Sequence, residues 1–503
     1  MSETPQNAAI FLDRDGTLIE DRGHLERASD AVFYPDTIPA LRLLQERFKL
    51  FIVTHQAGIA RGLVTAGDVE AVNRAVTGDL ARFGVRIEAV YCCPHDRGDG
   101  CECIKPNPYF LHQAAREFHI DLSRSYVIGD HPHDEALGRN SGATGIYVLT
   151  GHGRKHLGEL SPEAVVANGI GDAAIRIAVD AWSRQRRAST SGTEIGQAAR
   201  AISDGGIVAF PTETVYGLGA NAFDVSAAAR VFEVKNRPTF DPLIVHVDRV
   251  ERAAACTDPF PETARILADT FWPGPLTLVM RKADAIPELV TAGLPTVAVR
   301  MPNHPVALEL IRQAGVPVAA PSANPFGALS PTTADHVRKH LGGTVDAVLD
   351  GGACTVGVES TIVSLAGEHP VLLRPGGIPV EAIERVVGHL ERADSPTEKP
   401  SAPGQLATHY APRTPLSLTT EADAPSGSRV GLLAFRGPAD DRSFVTVEVL
   451  SPDGNLREAA SNLFAALHRL DTMELDAIWA EPLPEHGLGA AINDRLRRAA
   501  AKR

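Results

Sequence analysis

Residues 8–17, AAIFLDRDGT, pass directly from an apolar run into two carboxylates, Asp13 and Asp15, and a glycine. The run is short and rich in β-branched and aromatic side chains, as a strand buried on both faces of a parallel sheet should be. Two later stretches repeat the arrangement: LFIV at 50–53 leads into Thr54, and YVIG at 126–129 leads into Asp130, followed by Asp134. Residues 66–83 carry a helix-like pattern between such runs, which predicts strand, helix, strand crossovers and a Rossmann-like α/β domain. In open sheets of this kind ligands sit beyond the carboxyl ends of the strands, so these polar groups should converge.

Converging carboxylates repel one another unless a cation lies among them, and hard oxygen ligands suit Mg²⁺. An anionic substrate fits the same arrangement. A carboxylate can attack phosphorus to give an aspartyl-phosphate, while a second carboxylate protonates the leaving oxygen and then activates water. Lys105 could neutralise charge on the transferred phosphoryl group. Just before it, residues 92–103, CCPHDRGDGCEC, hold four of the chain's six cysteines. Cys93, His95, Cys101 and Cys103 can close a tetrahedral zinc site with no open position, which is the mark of a structural rather than a catalytic metal. The other reading of this loop is a set of ordinary reduced thiols. Cys92 looks spare, and Cys256 and Cys354 read as small buried hydrophobes.

With 503 residues, the chain is expected to form about three domains, and its 44% hydrophobic and 22% charged content is that of an ordinary globular protein. No apolar run reaches membrane-spanning length, and the N-terminal residues lack the pattern of an export signal, so the reading is cytoplasmic, with no membrane association. In a reducing compartment clustered cysteines bind metal more readily than they pair. Forty-nine basic against 62 acidic residues give a net charge of −13, which excludes a nucleic-acid-coating role and leaves room only for a small basic site and weak tRNA contact. Polar, Pro- and Gly-containing stretches at 183–193 and 391–405 read as connections. The expected organisation is a first domain over 1–185, a second over 194–390, a linker over 391–405 and a third domain over 406–503.

The first block resembles the haloacid dehalogenase superfamily of phosphatases through DRDGT, Thr54, Lys105 and GDHPHD, over about 8–180. The resemblance implies Asp13 as nucleophile, Asp15 as acid/base, and Mg²⁺ held by Asp13, Asp130 and the Asp15 carbonyl. Thr54 and Lys105 would bind phosphate, with Asp134 orienting the lysine or the metal shell. The cysteine loop, VTHQAGIARG and VLTGHG are similar to the subgroup of heptose-bisphosphate and histidinol-phosphate phosphatases. Two departures leave the phosphomonoester substrate open: Ile104 stands where the subgroup commonly has arginine, and His55 where it has asparagine.

In the second block a helix-like EIGQAARAISDGG leads to the strand-like IVAF and then to residues 211–219, PTETVYGLG. Cations and hydroxyls then recur at strand ends and turns: Lys235, Arg237, Arg300, Ser322, Asn324, Ser330, Ser360 and Arg374. Such a set suits a phosphate-rich ligand with a carboxylate, and no P-loop is present. Taken singly, Lys235 and Arg237 would read as a solvated turn, His246 as a core histidine and Ser322 as a helix cap. Taken together, PTETVYGLG, KNRP, PLIVHV, FWPGPLTLV, VAVRMP, PSAN, GVEST and LRPGG resemble the threonylcarbamoyl-AMP synthase family in its own order, over about 194–390. That resemblance implies a YrdC-like α/β twisted sheet that converts L-threonine, bicarbonate and ATP into threonylcarbamoyl-adenylate and pyrophosphate. It places Thr214, His246, Arg300, Ala320 and Ser360 around threonine. It places Lys235, Arg237, Thr296, Ser322, Asn324, Ser330 and Arg374 around ATP, whose Mg²⁺ would travel with it. Asp241 stands where the family usually has asparagine, and reads either as a carboxylate near the triphosphate or as a surface residue.

Residues 406–503 are similar to the small α/β accessory domain of the longer members of that family. By that likeness the linker returns across the site and Tyr410, beside His409, contacts nucleotide, excluding water from a labile adenylate. The basic end, NDRLRRAAAKR, reads as a solvated helix tail. The whole chain is thus expected to be a bifunctional enzyme, zinc-stiffened phosphatase plus synthase, feeding threonylcarbamoyladenosine formation in tRNA through separate transferase proteins. Two alternatives are carbamoyl-adenylate chemistry on another acceptor and an RNA-binding module whose only activity is the phosphatase.

Overall fold

The computed structural model describes residues 8–45, 47–185, 192–393, 400–406, 408–419, 427–437 and 443–501. Two compact units divide the chain, Met1–Arg184 and Gln185–Arg503. The middles of both expected connections, 186–191 and 394–399, lie outside the described residues.

The first unit is a six-stranded, wholly parallel sheet. Its strands are β1 (Ala9–Leu12), β2 (Lys49–His55), β3 (Ile87–Cys93), β4 (Tyr126–Gly129), β5 (Thr144–Val148) and β6 (Val165–Ala167), in the spatial order β3-β2-β1-β4-β5-β6. Helices α1 (Thr37–Gln45), α2 (Ala66–Arg82), α3 (Tyr109–Phe118), α4 (Pro132–Ser141) and α5 (Ile170–Gln185) alternate with the strands. The start of α2 is set by Thr65, whose hydroxyl accepts the Asp68 N–H while Asp68 reciprocates, a capping box. Every residue of β1 and β4 is buried, which is why these runs are apolar without alternation. Stacked Phe11 and Phe51 rings, 5.2 Å apart, lock β1 to β2. β1 therefore lies between β2 and β4, and the carboxyl ends of these three strands deliver Asp13, Thr54 and Asp130 to one edge.

The second unit contains a ten-stranded mixed sheet and a four-stranded parallel one. The larger is built from β7 (Val208–Phe210), β8 (Gly217–Asn221), β9 (Ile244–His246), β10 (Leu276–Arg281), β11 (Thr296–Arg300), β12 (Val318–Ala319), β13 (Ala347–Val348), β14 (Thr361–Ser364), β15 (Val371–Arg374) and β16 (Glu391–Arg392). Their order is β13-β7-β8-β12-β9-β11-β10-β14-β15-β16. β16 corrects one sequence expectation. Glu391 and Arg392 pair with Val371 and Leu372, so the first residues of the expected linker belong to the sheet.

The smaller sheet comprises β17 (Leu416–Leu418), β18 (Val430–Ala434), β19 (Thr446–Val449) and β20 (Ala477–Ala480), in the order β17-β20-β18-β19. Helices Leu456–Leu470 and Leu488–Ala500 accompany it. Leu463, Phe464, Leu467 and Ile492 share one apolar core with Val215, Leu329 and Val358 of the larger lobe. The backbones approach closely there: a Cβ on Gly357 would lie 2.4 Å from Ala460 O. The described part of the chain's basic end is not wholly solvated. Arg495 and Arg498 are buried and ion-paired, and Arg497 is the exposed arginine of that turn.

Candidate functional site

At the sheet edge of the first unit, Lys105 Nζ stands 2.5 Å from Asp13 Oδ1 and 2.7 Å from Asp134 Oδ1. One carboxylate oxygen from each of Asp13, Asp130 and Asp134 falls within 4.8 Å of the others. Burial raises Asp13 well above the ordinary carboxylate range, opposed by Lys105 and reinforced by the neighbouring aspartates. Burial lifts Asp130 to about 7 against the pull of the His152 N–H, which donates to Asp130 Oδ2 at 2.7 Å. Burial alone would lower Lys105, yet Asp13 and Asp134 together raise it, so the ammonium is retained. Crowded carboxylates that resist ionisation in the absence of a cation are the donor set a hard divalent ion needs.

Two glycines leave the Asp130 carboxylate its place in this cluster. Gly16 has φ +80°, and a Cβ there would lie 2.1 Å from Asp130 Oδ2. A Cβ on Gly151 would lie 2.2 Å from the same oxygen. The Asp15 carboxylate does not join the ligand group: Arg14 Nη2 lies 2.9 Å from its Oδ2 and Gln56 Nε2 donates to that oxygen at 2.8 Å. Gln56 Nε2 also donates to Thr54 Oγ1 at 2.8 Å, so the acid/base and phosphate-binding candidates are joined through one amide. An adjoining cleft is lined by Asp15, Glu20, Asp21, His24, His55 and His152, and among the described residues no lysine or arginine lines it.

In the cysteine loop, Cys93 Sγ lies 3.7 Å from Cys101 Sγ and 3.3 Å from Cys103 Sγ, with His95 Nδ1 3.4 Å from Cys103. A tetrahedral ion with Zn–S bonds of about 2.3 Å would hold its sulfurs about 3.8 Å apart, so these four groups fit zinc. Cys92 is not one of the four. His55 Nε2 contacts His95 O at 2.8 Å, tying the loop to the cleft.

In the second unit a pocket is lined by Thr214, Arg237, His246, Arg300, Ala320 and Ser322, closed by Ser360, Arg374 and Tyr410. Arg300 reaches it from the end of β11: Nη1 donates to Thr214 Oγ1 at 2.9 Å and Nη2 stands 2.6 Å from Glu213 Oε1. Burial, then Arg300, lowers His246 to about 3, so its ring is neutral. Arg374 donates from Nη2 to Ser360 O at 2.9 Å and from Nη1 to Pro403 O at 3.0 Å. Lys235 lies behind this wall, donating to Ser322 O at 2.5 Å and to Asn324 O, and burial holds its pKa well below the usual lysine value. Asp241 is 0% exposed and 2.9 Å from Arg237 Nη2, which removes the surface-residue reading and shows what balances its charge. Ser330 donates to Glu359 Oε1 at 2.5 Å, and Thr296 opens β11 opposite Arg281, away from the pocket lining.

Comparisons with known proteins cover the stretches that carry both sites. Residues 200–376 match the Sua5/YciO/YrdC family model described as telomere recombination, and residues 378–501 match the C-terminal domain of threonylcarbamoyl-AMP synthase. The threonylcarbamoyl-AMP synthase of Bacillus subtilis is 45% identical over 329 residues, covering 63% of this chain and 95% of the relative. The chain belongs to the threonylcarbamoyl-AMP synthase family. Its counterpart from Pyrococcus abyssi is 43% identical over 324 residues, covering 61% of this chain and 94% of the relative. A crystal structure of P. abyssi Sua5 complexed with L-threonine superposes with a TM-score of 0.58 at 41% identity, over 62% of this chain and 96% of that one. The synthase part is thus the whole of a long-form family member, YrdC-like domain and Sua5 C-terminal domain together. Residues 102–173 match the HAD-hydrolase-like family model, so the chain joins a hydrolase-type domain to the synthase.

Sequence reasoning passed over three buried charges of these sites: Arg14, Glu359 and Arg495. Arg14 and Glu359 sit inside motifs quoted for other residues, DRDGT and GVEST, and only contacts distant in sequence reveal what they hold. Arg495 lies in a helix rich in arginine, where periodicity alone cannot separate a buried cation from a solvated one.

Proposed function

We propose that the second unit makes threonylcarbamoyl-adenylate from L-threonine, bicarbonate and ATP, releasing pyrophosphate, and that the first unit hydrolyses a phosphomonoester. The observation that carries the first reading is the single pocket shared by Thr214, His246, Arg300, Ser360 and Arg374, in a family member whose relative has been solved with L-threonine. Arg300 is the fork for the threonine carboxylate, and neutral His246 leaves the amine its lone pair as it captures CO₂. The carbamate oxygen then attacks the α-phosphorus in line, and pyrophosphate departs with the electron pair. Arg237, Arg374 and Ser322 hold the nucleotide, with Lys235 and Ser330 behind them, so positioning and charge neutralisation supply the catalysis. Tyr410, laid over the pocket with Pro403 and Gly404, keeps water from the adenylate.

In the first unit Asp13 is the nucleophile, Thr54 and Lys105 bind the phosphoryl oxygens, and Asp15 serves the leaving group and then water. Asp13, Asp130 and the Asp15 carbonyl would hold Mg²⁺, with Asp134 steering Lys105; the ion supplies positive charge beside the phosphoryl oxygens. Cys93, His95, Cys101 and Cys103 would hold zinc and stiffen the loop that ends at Lys105. The adenylate would pass to separate tRNA-modifying transferases in the cytoplasm.

The test is incubation of the Asp13→Asn chain, whose first unit cannot consume products, with ATP, bicarbonate and one amino acid at a time. Adenylate and pyrophosphate formed with L-threonine alone support the reading. Product with a different acceptor would replace threonine by that acceptor, and tRNA binding without pyrophosphate release would overturn the reading.

A further inference from the structure

Arg14 stands between the two aspartates of DRDGT, and the chemistry above gives it no task. Its side chain is 1% exposed, against 17% for Asp15 beside it. The guanidinium donates from Nε to Asp15 Oδ2 and from Nη2 to Asp15 Oδ1, both at 3.1 Å, so its planar fork meets both oxygens of one carboxylate. Its third nitrogen goes to another element: Nη1 donates to Asn73 Oδ1 at 2.7 Å. A guanidinium has only donors, so the Asn73 amide presents its oxygen there.

The fork is itself held from outside the motif. Asn73 lies on α2, whose first turn is fixed by the Thr65 and Asp68 capping box. The Arg14 carbonyl accepts the Leu18 N–H at 3.0 Å and the Ile19 N–H at 3.1 Å, which pins the turn that carries the side chain. Just past β2, Gln56 Nε2 adds a further hydrogen bond to Asp15 Oδ2 at 2.8 Å. Among the described residues Oδ2 therefore accepts from Arg14 and Gln56, while Oδ1 accepts from Arg14 alone. Oδ1 is the oxygen with room for a proton, and Asp15 lines the cleft.

Stability alone does not account for this arrangement, because a buried ion pair gives little net stability compared with an apolar pair of the same volume. Orientation does account for it. An aspartate side chain left to itself samples several rotamers, whereas proton transfer needs the carboxyl within hydrogen-bond reach of one oxygen of the substrate.

We propose that Arg14 and Asn73 are positioning residues for protonation of the leaving group: helix α2, through Asn73, sets the guanidinium, and the guanidinium sets Asp15 with Oδ1 toward the cleft. As Asp13 forms its bond to phosphorus, the bond from phosphorus to the alcohol breaks, and the alcohol oxygen keeps the electron pair and takes the proton from Asp15 Oδ1. Water then attacks the aspartyl-phosphate, gives its proton to Asp15, and Asp13 leaves with its electron pair. The proposal rests on the phosphatase reading given above.

The test uses the full chain and two probes, benzyl phosphate, whose alcohol must be protonated to depart, and para-nitrophenyl phosphate, whose acidic phenol departs as the anion. The quantity compared is kcat/KM, which covers the steps through departure of the alcohol. Arg14→Met is expected to lower it by about 100-fold on benzyl phosphate and by less than about threefold on para-nitrophenyl phosphate. Asn73→Ala should act in the same direction, by about tenfold on benzyl phosphate. Arg14→Lys keeps the charge without the fork and should resemble Arg14→Met. Added to Asp15→Asn, Arg14→Met should cost nothing more, because both remove one function. Equal losses on the two probes, full rescue by lysine, or an Arg14→Met loss that persists in the Asp15→Asn background would each overturn the proposal. If Arg14→Met does not fold, Asn73→Ala decides by the ratio of its effects on the two probes. A parent chain that hydrolyses neither probe nor any other phosphomonoester would refute the phosphatase reading and the proposal with it.

Discussion

The two sites of this chain solve the problem of a phosphate-bearing ligand with opposite distributions of charge. In the first unit three aspartates and one lysine converge beside a cleft that, among the described residues, no arginine lines, and most of the positive charge would have to come from a bound ion. In the second, four buried basic side chains are already seated: Lys235 on two carbonyls, Arg237 on Asp241, Arg300 on Glu213 and Arg374 on Ser360 and Pro403. A site that borrows its cation can be emptied by removing the ion or one ligand. A site that owns its cations is pre-organised, and is altered by whatever competes for them.

The largest expected break in this comparison is Asp13→Asn. Loss of the attacking carboxylate should lower phosphomonoester turnover by about 10⁴-fold, with adenylate formation by the same chain unchanged. Both rates, measured on one preparation, check it. Next in size is Cys101→Ser, which opens the four-ligand cluster. Elemental analysis should find about one zinc per parent chain and none in the variant, and the stability of the first unit should fall by about 3 kcal/mol or more, leaving the synthase untouched.

A smaller effect sharpens the other side. Asp241→Asn frees Arg237 from its internal partner, so KM for ATP should fall several-fold, about 1 kcal/mol, while the ligand-free unit melts earlier. Unchanged KM would mean that Arg237 does not meet the nucleotide. The last effect is electrostatic and is absent near neutral pH. Burial, then His336, holds His468 at about 3 in the folded chain, against roughly 6.5 when unfolded. The unfolded form therefore binds the extra proton first, and stability should fall as pH drops from about 6.5 toward 3. His468→Gln, which keeps a donor for Ser330 O, should reduce that slope by about 1 kcal/mol per pH unit in calorimetry.

Much of this was legible in sequence because buried parallel strands are continuously apolar and end where chemistry begins. AIFL, YVIG and the run before Thr54 mark both the sheet and the residues at its edge. What escaped was the direction in which charged side chains point. Glu359 looks like a surface carboxylate until a distant arginine is brought against it, Asp241 looks like one until it is buried with Arg237 four positions before it, and Arg495 looks like its exposed neighbour Arg497. Likewise Asp15 reads as a free acid beside Asp13, while Arg14 and Gln56 hold it apart from the ligand group. Such pairings join residues 41 or 136 positions apart, and no local periodicity reports them.

Gly16 and Gly151 approach Asp130 from two directions, each so closely that a single methyl would strike its oxygen. The place of the Asp130 oxygens is therefore written into the chain separately from the charges around them. An alanine at either place would spare every acid and the lysine yet push the Asp130 carboxylate aside, so the shape of this acidic group rests on two residues that have no side chain.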